Sequence, residues 1–232
     1  MTFNELKETW VDTPEFHELV KNSLTELVNS DEVLSEHRTF VENHVYGFGE
    51  RPFWGMWKLL FGELVKEPKI LEIGCFKGAS LSVFKLLNPN CKVYGVTPLD
   101  STGIDWEGDY ALFIKNIHDL YKQEQPTIFH GLSENPEIIK QAQMESPYDV
   151  VYIDGGHSRE HIDNDLAYYA PMVKSGGYLV IDDACNDLNM PWGFFQGIQS
   201  VSDGVIAWEK TEEGEDFWFV FNVIHNRIYQ RK

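Results

Sequence analysis

Glu72, Gly74 and Gly78 are the residues whose types and spacing most directly suggest chemistry. They lie in Lys69-Ile-Leu-Glu-Ile-Gly-Cys-Phe-Lys-Gly-Ala-Ser80. Glycines at the end of a strand let the backbone approach a ligand closely, and the free N–H groups of such a turn suit an anionic group. Glu72, one residue before the predicted strand end, can face a cationic or hydroxyl-bearing ligand. The elements that must position these groups follow from the same stretch. Lys69–Ile73 is short and apolar, as in a buried strand, and Gly74–Gly78 is a tight turn. Leu81, Phe84 and Leu87 then recur at helical spacing. Strand, glycine turn and helix in that order suit a nucleotide-like cofactor. Two glycines after a strand also occur in α/β proteins with no ligand there.

The rest of the sequence sets limits. The 232 residues are about the upper size for one domain, and 43% hydrophobic content is ample for a core. With 37 acidic against 19 basic residues, the net charge is -18. That argues against nucleic acid or an anionic membrane as partner, since both select clustered positive charge. Cys75, Cys91 and Cys185 are an odd, sparse set, expected as thiols in a reducing compartment. No apolar run approaches the roughly 18 residues of a membrane span, and the first residues, MTFNELKETW, are too polar and acidic for a signal peptide. A soluble cytoplasmic protein is expected.

Residues 1–67 carry no strong strand signal. Phe16, Leu19, Val20, Leu24, Leu27 and Val28 mark one helix, with Thr13-Pro14 as cap and first-turn proline. A second is expected over Asp31–Asn43 and a third over Phe53–Lys66, after the glycine loop 46–52. With no linker behind it, 1–67 is expected to be a helical extension, a lid or packing element, on a domain spanning 68–232. From Lys69 strands and helices alternate. Strands are predicted at Lys69–Cys75, Lys92–Thr97, Thr127–Gly131, Tyr148–Asp154 and Gly177–Asp182, and helices near Ala79–Leu87, Glu107–Tyr121, Pro136–Met144 and Glu160–Val173. This pattern gives an α/β, Rossmann-like, doubly wound and mostly parallel sheet. Beyond it, Pro191–Val201 has helical character. Val205–Thr211 and Asp216–Ile224 are expected as an antiparallel hairpin joined by Glu212–Glu215.

Five parallel strands followed by a helix and a hairpin resemble the class I S-adenosylmethionine-dependent methyltransferases. A nicotinamide fingerprint would place glycine where this turn has Phe76. Glu72-Ile-Gly74-Cys-Phe76-Lys-Gly78-Ala-Ser80, Ile153-Asp-Gly-Gly-His157 and Ile181-Asp-Asp183 together resemble the macrocin-type sugar O-methyltransferases and the related cephalosporin hydroxylase-like proteins. The likeness runs from about Lys69 to Asp187 and implies a seven-stranded sheet. It also implies S-adenosylmethionine along Glu72, Gly74, Phe76, Gly78 and Ser80. Ser80 is alternatively a helix cap. The ribose partner departs from the family pattern: the second strand ends at Thr97, and the nearest carboxylate is Asp100, which could instead form an Asx turn. Ser133 falls in the adenine-contacting loop, or caps the next helix.

The resemblance makes the fourth and fifth strands neighbours, about 5 Å apart, so Asp154, Asp182 and Asp183 would crowd one crevice. Like charges so close call for neutralisation, and Mg²⁺ or another divalent cation favours carboxylates with water and substrate oxygens. The same aspartates bind metal in the subgroup. Alternatively one binds cofactor, one caps a helix and one is solvated. His157, with an ordinary pKa near ~6.5, can accept a proton and resembles the subgroup's general base, with a structural histidine as the alternative. Asp154 is the second catalytic candidate and doubles as a cofactor contact. His157 and His161 form a weaker His-x3-His metal pair. His118, His130 and His225 are expected to be structural. Trp192, Phe194 and Phe195, with Phe48, Phe53 and Trp54, are either acceptor-facing aromatics or ordinary core. The implied function is O-methyl transfer to a hydroxyl of a sugar or other small secondary metabolite. The alternatives are a metal-dependent hydroxylase-like enzyme and a non-catalytic cofactor-binding relative. A homo-oligomer is left open.

Overall fold

In the computed structural model, residues 1–45, 50–99, 109–185 and 196–232 are described. Helices α1 (Phe3–Thr9), α2 (Pro14–Ser30), α3 (Glu32–Phe40) and α4 (Arg51–Phe61) precede the first strand, with a π-helical turn at Val41–Val45. Then follow β1 (Lys69–Ile73), α5 (Ala79–Leu87), β2 (Lys92–Thr97), α6 (Tyr110–Leu120), β3 (Thr127–His130), α7 (Pro136–Glu145), β4 (Tyr148–Ile153), α8 (Arg159–Tyr169) and β5 (Val173–Ile181). The chain closes with α9 (Gln196–Trp208), a short α10 (Glu212–Glu215), β6 (Phe217–Val223) and β7 (Asn226–Arg231). Among the described residues the sheet has seven strands in the order β3-β2-β1-β4-β5-β7-β6. The first five are parallel, and β7 is antiparallel to both its neighbours. The Rossmann-like, mostly parallel seven-stranded sheet expected from the sequence is therefore present.

The central strands are apolar without alternation because both faces are covered. Ile70, Val150, Tyr152 and Val180 face a core shared with α1–α6. Leu71, Ile73, Val151, Ile153 and Ile181 face the core of α7, α8 and α9. The N-terminal helices are part of the first core: Trp57 of α4 meets Phe84 and Tyr152 edge-on, with ring centroids 4.7 and 5.0 Å apart. A buried polar chain ties them to α5 and to the segment after α6. Trp54 Nε1 donates to His37 Nδ1 at 3.0 Å, His37 Nε2 lies 3.1 Å from Ser82 Oγ, and Ser82 Oγ donates to Gln123 Oε1 at 2.9 Å. Burial holds His37 neutral, with its pKa pushed down to about 3.

Three sequence expectations are corrected here. The stretch from Val205 is helix, not strand. Ile198, Val201, Val205 and Trp208 recur at three and four and are all buried, and Gly204 lets α9 close on Ile162, where a Cβ would lie 2.5 Å from Cγ2. Its β-branched composition mimics a strand, but the 3.6-residue period wins. Glu212–Glu215 is α10, capped by Thr211. The hairpin is instead β6 with β7, turned at Ile224-His225. Finally, the predicted helix Glu160–Val173 stops at Tyr169, and a 3-10 turn, Ala170–Met172, leads into β5 at Val173.

Helices α2 and α4 approach closely at Gly55, where an added Cβ would stand 2.7 Å from the carbonyl oxygen of Leu24 and 2.9 Å from its Cβ. Alanine normally gains about 1 kcal/mol over glycine in a helix, but a clash with backbone cannot be relieved by a rotamer change. Gly55→Ala is expected to destabilise the fold by about 1–3 kcal/mol, measured as a lowered urea midpoint. An unchanged midpoint would contradict this packing.

Candidate active site

The register of the central strands brings the chemical residues to one level. Ile73 pairs with Ile153, and Ile153 with Ile181, so Gly74, Asp154 and Asp182 each follow the last paired residue. The N–H of Asp154 donates to Ile73 O at 2.8 Å, and that of Asp182 to Ile153 O at 2.9 Å. Carboxylates from neighbouring strands are thereby held at one edge of the sheet. The hairpin adds a third contributor, because the β6–β7 turn returns to the same edge and His225 O accepts from Ala184 N at 2.7 Å.

The glycine turn has the geometry its sequence demands. Gly74 has φ +89°, and a Cβ there would lie 1.9 Å from the carbonyl oxygen of Asp154. Gly78 has φ +78° and sits against Ile114. It occupies the N-cap of α5, with no side-chain cap hydrogen bond to the first turn. Ser80 is therefore not the cap; its hydroxyl donates to Glu72 Oε1. Glu72 is 1% exposed, and its Oε2 has no partner. Burial, with a smaller push from Asp182, raises its pKa to about 8 against the Ser80 hydrogen bond. Phe76, at φ 44°, leans on Tyr110 with centroids 5.2 Å apart.

Asp154 accepts from Tyr152 Oη at 3.1 Å. Burial and the charges of Asp182, Glu72 and Asp183 hold its carboxyl well above the usual range. Asp183 goes the other way. Burial opposes its charge, but hydrogen bonds from His157 and His225 outweigh that and hold it at about 2. His157 Nε2 stands 2.8 Å from Asp183 Oδ2, and that hydrogen bond raises the imidazole's pKa despite partial burial. His225 Nδ1 lies 3.0 Å from Asp182 Oδ1 and 3.1 Å from Asp183 Oδ1. Burial disfavours its charge, yet the two aspartates raise its pKa to about 10. Asn226 Nδ2 also donates to Asp182 Oδ1, at 2.6 Å.

The structure thus brings Glu72, Gly74, Ser80, Asp154, His157, Asp182 and Asp183 together. Thr97 closes β2 beside them; it is buried, with its hydroxyl 3.3 Å from Pro98 O. Ser133 does not cap α7, whose N-cap is Asn135. Its carbonyl accepts from Tyr169 Oη at 2.7 Å. Asp165 on α8 lies under the same loop and is 1% exposed. Burial raises its pKa to about 6, only partly offset by the Ser133 hydroxyl. Phe53 and Trp54 are core. Asp100, Phe48, Trp192, Phe194 and Phe195 lie outside the described residues. His161 is exposed beside Gly156 and joins no acidic cluster among the described residues. His118 is buried and bonds Ile114 O, as expected of a structural histidine. His225 is the residue sequence reasoning missed: it sits in a turn of a hairpin assigned to other residues.

The residues present fit both groups the family implies. The unpartnered Oε2 of Glu72 and the glycine turn that follows it suit the amino-acid end of S-adenosylmethionine. Asp182, Asp183 and His225 offer one donor atom each, all within 4.8 Å of one another, and Asp154 faces Asp182. A larger concavity of about 520 Å³, lined by Glu209, Glu212, Phe217 and Tyr229 among others, lies toward the start of β6 at the opposite sheet edge. It contains neither the glycine turn nor the histidine–aspartate group.

Known proteins resemble the stretch that carries the glycine turn and the aspartates. A profile described as a methyltransferase domain matches residues 71–184. Residues 71–184 are a methyltransferase domain. It is of the class I, S-adenosylmethionine-dependent type, distantly related to macrocin-type sugar O-methyltransferases. The chain is 30% identical over 119 residues to protein R132 of Acanthamoeba polyphaga mimivirus, covering 49% of this chain and 50% of that one. It is 27% identical over 126 residues to the mycinamicin VI 2''-O-methyltransferase of Micromonospora griseorubida, covering 51% of this chain and 27% of that one. The chain therefore matches half the length or less of these curated relatives. Among solved structures, MycE methyltransferase of the mycinamycin pathway, in complex with Mg, SAH and mycinamycin VI, superposes with a TM-score of 0.57 at 20% identity. The match covers 86% of this chain and 53% of that one. No described helix of the domain or its extension is long and apolar enough to cross a membrane.

Glu72 supplies a pH test. Its ordinary pKa of 4.5 rises to about 8 on folding, so the folded chain keeps a proton that the unfolded chain releases. Stability from this group is complete below about 4.5 and is lost as pH rises toward about 8. In ligand-free protein, Glu72→Gln is expected to show a smaller fall in Tm between pH 5 and 8 than the wild type. Parallel Tm–pH curves would contradict the buried, protonated state.

Proposed function

We propose that this chain is an S-adenosylmethionine-dependent O-methyltransferase, assisted by a divalent cation and acting on a hydroxyl of a sugar or other small natural product. The observation that carries this reading is the convergence of the Glu72–Gly78 turn with Asp154, Asp182, Asp183 and His157 at one sheet edge. The curated relative that methylates the 2''-oxygen of mycinamicin VI supports the acceptor class. The MycE structures with Mg and SAH support the pairing of cation and cofactor. Residues 1–67 act in this reading as a packing element, because α4 steadies Tyr152 and His225 from behind.

When bound, the cofactor supplies an electrophilic methyl group on sulfur and the cation supplies positive charge beside the acceptor oxygen. The roles of the chain's own residues follow from their chemistry. Glu72 Oε2 would take the cofactor's ammonium, which would favour loss of the proton that burial otherwise keeps there. The uncapped first turn of α5 and the glycine turn receive its carboxylate, with Ser80 fixing the rotamer of Glu72. Thr97 or Asp100 would meet the ribose, and Ser133 would contact the adenine. Asp154, Asp182 and Asp183 would hold the cation. Asp183 keeps a proton on His157 Nε2, the tautomer whose Nδ1 accepts the proton of the acceptor hydroxyl.

One paired series tests this. Gly74→Val should weaken S-adenosylmethionine binding by more than about 100-fold, because any side chain there collides with Asp154 and is strained at positive φ. His157→Ala should keep cofactor binding while lowering kcat by about 10²–10⁴-fold, with partial recovery at high pH. The readouts are calorimetry and transfer of labelled methyl to a panel of glycosylated macrolides and free sugars. Failure of the wild type to bind the cofactor, or tighter binding of NADH, would overturn the assignment; chelator-insensitive turnover would overturn its metal half.

A further inference from the structure

His225 belongs to the β6–β7 turn, outside the three motifs that carry the family likeness, yet it faces both aspartates that end β5. Its position is fixed on three sides. Its carbonyl oxygen holds Ala184 N at 2.7 Å, and its ring stands edge-on to Phe53, 5.1 Å between centroids at 82°. Nδ1 lies 3.0 and 3.1 Å from one oxygen of Asp182 and one of Asp183. The side chain is 16% exposed, so the nitrogen is aimed at the carboxylates rather than at solvent. These three donors are the set of His, Cys and acidic side chains, among the described residues, that can each offer an atom within 4.8 Å of the others.

Independent observations place unpartnered buried oxygens beside these residues. Asn226 is fully buried and binds Asp182 through Nδ2, yet its Oδ1 has no partner. Glu72 is 1% exposed with an unpartnered Oε2, and its carboxyl feels the charge of Asp182. Buried oxygens are left unsatisfied rarely, and a bound cationic group is one way to satisfy them. The amide of Asn226, turned over, would present an oxygen instead of a nitrogen beside Asp182.

The geometry points to His225 Nδ1 as a metal ligand, completing a site with Asp182 and Asp183 that takes a first-row transition-metal dication in preference to Mg²⁺. This rests on the metal half of the proposed function and changes the ion expected there. Mg²⁺ binds oxygen ligands in a near-ideal octahedron and keeps its waters. A fixed imidazole nitrogen among carboxylates favours Mn²⁺, Co²⁺ or Zn²⁺ by softness and by position in the affinity series. The alternative is that His225 is purely a counter-charge for the two aspartates.

The test is metal binding to the cofactor-free full chain, followed by calorimetry with Mn²⁺, Co²⁺ and Mg²⁺ and by pulsed electron spin resonance of the Mn²⁺ form. Wild-type protein is expected to bind Co²⁺ and Mn²⁺ at least roughly tenfold more tightly than Mg²⁺, with nitrogen modulation of the Mn²⁺ signal. His225→Asn, which keeps a donor toward Asp182, should lose the modulation and most of the preference while Mg²⁺ affinity changes by less than about threefold. His157→Ala should keep the modulation, which separates the two imidazoles. His225→Ala, with circular dichroism as a folding check, should behave as His225→Asn does. Mn²⁺ bound without nitrogen coupling, or a preference unchanged in His225→Asn, would overturn the inference and leave the methyltransferase reading standing. Absence of any divalent-cation binding to the wild type would overturn both the inference and the metal half of that reading.

Discussion

Four carboxylates at one edge of a parallel sheet set the terms for everything around them. Glu72, Asp154, Asp182 and Asp183 end three adjacent strands, and the sheet register leaves them no room to spread. Repulsion and burial divide them. Glu72 and Asp154 are driven toward the protonated form, whereas Asp183 is held ionised by His157 and His225. Such an arrangement is costly to an empty protein and favourable to a cationic ligand, since each positive group that enters relieves an existing penalty. In the proposed reading, an ammonium-bearing cofactor on one side and a metal ion on the other are the two positive groups that these carboxylates would meet.

The surrounding structure serves this constraint. Tyr152 of β4 donates to Asp154 and is backed by Trp57. His225 is backed by Phe53. Both supports come from α4, which is fixed to α2 through the close approach at Gly55 and to α5 through the chain Trp54–His37–Ser82. The N-terminal helices therefore connect to the site through packing, without contributing a ligand of their own among the described residues. At the other end of the chain, the hairpin closes the sheet with an antiparallel pair and so delivers a turn, rather than a strand end, to the carboxyl edge.

The glycine turn was legible because only glycine tolerates the backbone there: Gly74 and Gly78 both have positive φ, and the first abuts another strand's carbonyl. The central strands were legible because burial on both faces leaves continuous apolar runs, as in Val150–Ile153. The end of the chain was less so. Val205-Ile-Ala-Trp208 has strand composition, and its helical period shows only once Ile198 and Val201 are included. Asn226–Arg231 is polar in sequence, yet Asn226 and Arg227 are buried through hydrogen bonds that a hydropathy pattern does not reveal. With β7 unassigned, nothing placed His225 near Asp182. The signal was its position in the turn of a hairpin that must pair beside β5, which puts that turn at the reactive edge. Asp165 was equally hidden, as one acidic residue on an acidic helix.

The most direct measurement is the proton balance of cofactor binding. Calorimetric titration of chelator-treated protein with S-adenosylhomocysteine, at pH 7 in buffers of different ionisation enthalpy, counts protons released on binding. Glu72, with its pKa near 8, holds its proton in the free protein and gives it up when its unpartnered oxygen meets the ligand's ammonium. The account predicts release of about one proton per ligand bound, and markedly less from Glu72→Gln. Binding with no proton release, or with the same release from both proteins, would contradict it.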